Sequence, residues 1–171
     1  MMQRGLPSGE TIIATSMRWN VPQPPALASR VRELLSGIYR ELLDPDETQS
    51  VVMAAHELLE NVVKYSAEGT GSFDAEICDR GGQAYVRLQT RNSAAPEDMS
   101  DLRRLVDRIG RAPDPVAIYD ELVAASPHRE GSGLGLARLR AEADMDIACS
   151  AEGPVITIVA ERRVSIRNGA S

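Results

Sequence analysis

Apolar positions recur along this chain with two periods, and the switches between them mark out its elements. The stretch "ETIIATSMRW" is rich in β-branched residues with partial alternation and predicts a first strand, which "VPQPP" breaks. Through "ALASRVRELLSGIYRELL", Val31, Leu34, Leu35, Ile38 and Leu42 recur at helical spacing. "DPDE" ends that helix and starts another, because Pro45 and the acidic residues around it suit a first helical turn. The second helix runs through Val51 and Val52 to about Tyr65.

"GTGSFDAEICD" and "QAYVRLQTRN" are strand-like runs separated by "RGG", a hairpin signal. Two helical segments follow. "APEDMSDLRRLVDRIGRA" has Pro96 at its start and Leu102, Leu105 and Ile109 along one face, and "PDPVAIYDELVAAS" is shorter. "PHREGSGLGLARLRAEAD" is a glycine-rich loop feeding a helix, and "MDIACSAEG" with "PVITIVAERRVSI" predicts a second hairpin. This order predicts an α+β two-layer sandwich, a mixed, mostly antiparallel sheet with helices on one face. One domain is expected over residues 10–166, with a helical lid or insert at about 96–130 and loose tails at 1–9 and 167–171.

Composition narrows the picture. A chain of 171 residues, 43% apolar, buries enough surface to fold without a disulfide or metal staple. With only 4% aromatic residues, its core must be built mainly from Val, Leu, Ile, Ala and Met. A formal net charge of −6 argues against a nucleic-acid partner. Arg103, Arg104, Arg108 and Arg111 are interleaved with Asp101 and Asp107, as on a solvated helix face. Cys78 and Cys149 form no CxxC pair and read as small buried hydrophobes in strands, while His56 and His128 have no cysteine at zinc-ligand spacing. Neither a signal-peptide run nor a membrane-length segment is present, so a cytoplasmic setting with reduced thiols and no membrane partner is expected.

Candidate chemistry lies in two places. In "HELLENVVKYS", Glu57, Asn61 and Lys64 fall within roughly 60° of one another on the second helix, opposite Leu58, Leu59, Val62 and Val63. Alone, that is a helix with a wet face. Beside a phosphate site the same residues acquire roles: a carboxylate to orient water, an amide oxygen to reach a hydrated metal, an amine to neutralise phosphate. "GSGLGL" supplies such a site, because its glycines let several N–H groups converge and the following helix adds its positive dipole end. It is neither a dinucleotide fingerprint nor a Walker loop.

Together, "HELLENVVKYS" and "GSGLGLARLRAEAD" resemble the paired motifs of the GHKL (histidine kinase-like) ATPase superfamily, which includes DNA gyrase and histidine kinases. The nearest flavour is the single-domain branch of anti-sigma factor serine kinases. The resemblance implies the Bergerat fold, with Glu57 as catalytic base and Asn61 as the ligand of a nucleotide-bound magnesium ion. It places Lys64 by the phosphates, with Gly131, Ser132, Gly133, Leu134, Gly135 and Leu136 around them, and Thr157 by the adenine. Where the family carries Asp-x-Gly-x-Gly, this chain reads "VRLQTRNSAAPEDMSDL". Asn92 then stands in for the aspartate, and losing that charge-assisted bond costs about 1.5–3 kcal/mol.

The resemblance thus implies a bacterial signalling regulator that binds a protein partner: a sigma factor, an anti-sigma antagonist or a receptor-like regulator. ATP binding is expected to be weak or lost, and a homodimer is expected. The alternatives are an active ATP- and magnesium-dependent protein serine kinase, or an α+β interaction module without nucleotide.

Overall fold

A computed structural model describes residues 9–20, 26–125 and 133–167. Its elements are β1 (Glu10–Trp19), α1 (Leu27–Tyr39), α2 (Pro45–Tyr65), β2 (Gly71–Asp79), β3 (Ala84–Ser93), α3 (Pro96–Arg111), α4 (Pro115–Ala125), α5 (Leu134–Ala141), β4 (Asp146–Glu152) and β5 (Val155–Val164). Among the described residues the predicted succession of elements holds, and several boundaries carry their own chemical punctuation. Pro45 and Pro96 open their helices at the first turn, where a missing N–H costs nothing, and acidic residues follow both.

The five strands form one sheet in the order β1-β2-β3-β5-β4, and every neighbouring pair is antiparallel, so the sheet is not mixed. Its two faces differ sharply. Phe73, Ala75 and Ile77 of β2, Val86 and Leu88 of β3, and Ile156, Ile158 and Ala160 of β5 are buried on the inner face. There they share one core with Val51, Ala54, Ala55, Leu58 and Leu59 of α2. The outer face is polar: Thr11 donates to Glu76, and Arg80 grips both oxygens of Glu161 at 2.7 and 2.6 Å.

The same core anchors the helices. α1 buries Ala28, Val31, Leu35 and Tyr39 at helical spacing, and α3 buries Leu102, Val106 and Ile109. The four arginines of α3 are exposed, and Arg104 and Arg111 pair with Asp101 and Asp107 of the same helix. Cys78 is buried and Cys149 partly so. Among the described residues no helix is long and apolar enough to cross a membrane.

Candidate functional site

Leu58, Leu59 and Val62 hold one side of α2 in the core, so the stripe of Glu57, Asn61 and Lys64 faces outward from it. Val63, expected with the apolar side, is 55% exposed, because it falls at the margin of the buried arc. Into the space beside the stripe comes the start of α5. Glu57, Asn61 and Lys64 line a cleft of about 570 Å³ together with Glu60, Tyr119, Gly133, Leu134, Gly135 and Arg138.

Two glycines make that approach possible. Gly133 caps α5 in the left-handed region, with φ at 81°, which a side chain disfavours. A Cβ built there would also collide with Cδ2 of Leu105. At Gly135, a Cβ would collide with Glu57 Oε2, so the absence of a side chain lets the carboxylate rest directly on the α5 backbone. The two motifs are therefore in contact.

The charges in the cleft are arranged as follows. Arg138 Nη1 donates to Glu57 Oε1 at 2.5 Å, while its Nε and Nη2 donate to the Glu142 carboxylate at 3.2 and 3.0 Å. The hydrogen bonds to Glu142, and secondly the charge of Glu57, raise the Arg138 pKa above its ordinary value despite some desolvation. Asn61 Nδ2 donates to the backbone carbonyl of Glu57 at 2.9 Å, so its amide oxygen is the atom suited to a cation. Lys64, the only lysine beside eighteen arginines in the chain, lies with its Nζ 4.8 Å from the Tyr65 ring centroid.

Six expected site residues thus share one cleft: Glu57, Asn61, Lys64, Gly133, Leu134 and Gly135. Three others lie elsewhere. Leu136 is fully buried and belongs to the core, because α5 turns its side chain inward. Asn92 is buried on β3, donates to the Ser93 carbonyl at 3.0 Å, and lines a separate depression with Trp19, Gly71 and Pro154 at the end of the sheet. Thr157 lies between buried Ile156 and Ile158, so strand alternation turns it to the outer face, where its neighbours in register are Arg91 and Ser150. Gly131, Ser132, His128 and Arg129 lie outside the described residues. His56 is off the stripe, with Nε2 3.9 Å from Glu60.

Arg138 is a cleft residue that neither motif singles out, although its position four residues after Leu134 puts it on the same side of α5. Tyr119 arrives from α4 by tertiary packing alone, and no local pattern marks it.

The phosphate end of the expected nucleotide site fits what is present: an open helix N-terminus, an amide oxygen, a lysine and an arginine converge on one cleft. The adenine end does not fit, since Asn92 and Thr157 face other surfaces.

No protein-family model matches the chain, and no curated protein matches it either. Solved structures do. One is a chain of the crystal structure of the SiaB–SiaC complex from Pseudomonas aeruginosa, at a TM-score of 0.63 and 13% identity, covering 91% of this chain and 92% of that one. At that identity the likeness is one of fold: this chain has the two-layer α+β architecture of a protein crystallised in a two-protein assembly.

Proposed function

We propose that this protein is a signalling regulator of the histidine kinase-like ATPase fold that acts by binding another protein, with a cleft that takes polyphosphate weakly. One observation carries the reading: Glu57 rests against Gly135, so the polar stripe of α2 and the glycine start of α5 form a single cleft. Weak affinity follows from the missing adenine end, since the phosphates supply charge recognition and the base normally supplies the apolar burial. Support for protein binding comes from the fold neighbour's two-protein complex and from exposed Val116 and Val123 on α4, the helix that carries Tyr119 to the cleft. The partner class fitting this reading is a sigma factor, an anti-sigma antagonist or a receptor-like regulator.

Magnesium-ATP at millimolar concentration should raise the melting temperature by a small, concentration-dependent increment, because it binds the native state selectively. Asn61→Ala should remove that increment. A wild-type melting curve indifferent to magnesium-ATP would eliminate the nucleotide part of the reading and leave an interaction module. A second reading, a protein serine kinase, is favoured by Glu57 and Asn61 meeting in one cleft. Transfer of labelled γ-phosphate to a partner serine or threonine would establish it.

A further inference from the structure

The ion pair at the heart of the cleft has no place in the roles assigned so far. Glu57 is only 18% exposed, and its carboxylate is held on both sides: Oε1 accepts from Arg138, and Oε2 lies against Gly135. An oxygen that already accepts a charged hydrogen bond from a guanidinium is poorly placed to take a proton from water. Arg138, by contrast, is 35% exposed and divides its donors between Glu57 inside the cleft and Glu142 at its rim. Two anchors are therefore available to one cation, and the rim anchor keeps the guanidinium at the cleft after the inner one is given up.

We propose that Arg138 is a positioning residue that acts as an anion-sensing clamp on Glu57. With the ion pair closed, it restrains the carboxylate. When a polyphosphate occupies the cleft, Arg138 exchanges Glu57 for phosphate oxygens while Glu142 keeps it tethered, and Glu57 is released to orient water or a hydroxyl. Guanidinium suits this exchange because its planar fork serves carboxylate and phosphate with the same donors. The clamp rests on the reading of the cleft as a polyphosphate site.

Its consequence has an unusual sign. Glu57 competes for Arg138, so replacing the expected base should tighten binding. The probe is inorganic tripolyphosphate, measured by titration calorimetry on the full chain, with magnesium-ATP as a second ligand. Glu57→Gln should bind tripolyphosphate at least about fivefold more tightly than wild type, a modest coupling for a direct competitor. Arg138→Gln should bind it more weakly. In the double variant the gain from Glu57→Gln should vanish, because there is no guanidinium left to liberate.

Each alternative outcome has a distinct meaning. If Glu57→Gln tightens binding equally in the Arg138→Gln background, the gain is only the removal of a negative charge and the clamp is refuted. An unchanged or weaker affinity in Glu57→Gln also refutes it. If wild type and all variants give no binding heat, the polyphosphate reading itself fails and the clamp falls with it. Should Arg138→Gln not fold, Arg138→Met serves: it keeps the apolar stem without the charge, and under the clamp the gain from Glu57→Gln should vanish in that background.

Discussion

The seam between α2 and α5 and the far end of the sheet carry residues expected to serve one ligand, yet only the seam brings its residues into one cleft. At the seam, Glu57, Asn61 and Lys64 converge because a helix returns to the same side every three to four residues. At the sheet, Asn92 and Thr157 part company because a strand returns to the same side every two. Asn92 shares its face with buried Leu88, whereas Thr157 is flanked by two core isoleucines and faces the other way. Two residues can thus sit one step apart in register and still belong to opposite surfaces. The glycines sharpen the contrast: at the seam, Gly133 and Gly135 are places where atoms of another element occupy the position a side chain needs, while the hairpin glycines face open space.

The largest effect should therefore come from filling the seam. Gly133→Ala meets both an unfavourable φ and Leu105, and should cost about 2–5 kcal/mol of stability, seen as a lower urea midpoint. Gly153→Ala is the control, since φ there is 58° but nothing lies within 4 Å of the added carbon. It should cost only the backbone strain, about 1–2 kcal/mol. Equal losses at the two sites would mean that contact with Leu105 does not shape the start of α5.

The sheet faces can be broken in the same way. Ile158→Ala empties a buried position and should cost about 2–5 kcal/mol. Its neighbour Thr157→Ala should stay within about 0.5 kcal/mol and, under the proposed polyphosphate reading, leave the melting-temperature response to magnesium-ATP unchanged. Loss of that response in Thr157→Ala would join the sheet end to the cleft and overturn their separation.

The smallest effect concerns the dryness of the inner face at β4. Burial pushes the Cys149 thiol up from 9.0 to about 11. Because the folded pKa lies above the unfolded one, this contribution is intact below pH 9 and is lost as pH rises towards 11. Cys149→Ala should accordingly show a shallower fall of the urea midpoint over that window. Wild-type Cys149 should also alkylate more slowly at pH 8 when native than in urea, and equal rates would show the strand face to be wet.

Much of this architecture is legible in the chain itself. Pro45, Pro96 and the "RGG" turn punctuate the elements, and the helical spacing of Val31 with Leu35 and of Leu102 with Ile109 identifies the faces that are buried. Leu34 on the first of these helices is nevertheless exposed, and Tyr39 and Val106, which the spacing does not single out, join the core. The polar stripe of α2 is equally legible, because three residues on one helix fix their mutual direction without help from the rest of the fold. Arg138 obeys the same rule from Leu134, but its sequence neighbours give an arginine there no special meaning until Glu57 lies opposite it.

What local sequence does not express is distance between elements. That Glu57 touches Gly135, that Tyr119 closes the cleft from α4, and that Arg138 divides itself between Glu57 and Glu142 depend on how helices far apart in the chain settle on one shared core. Leu136 and Thr157 make the same point in reverse. Each stands in a motif or strand that suggests ligand contact, and packing sends one into the core and the other to the opposite face. Local period sets where a side chain points relative to its own backbone; only the burial of the whole apolar surface decides what it points at.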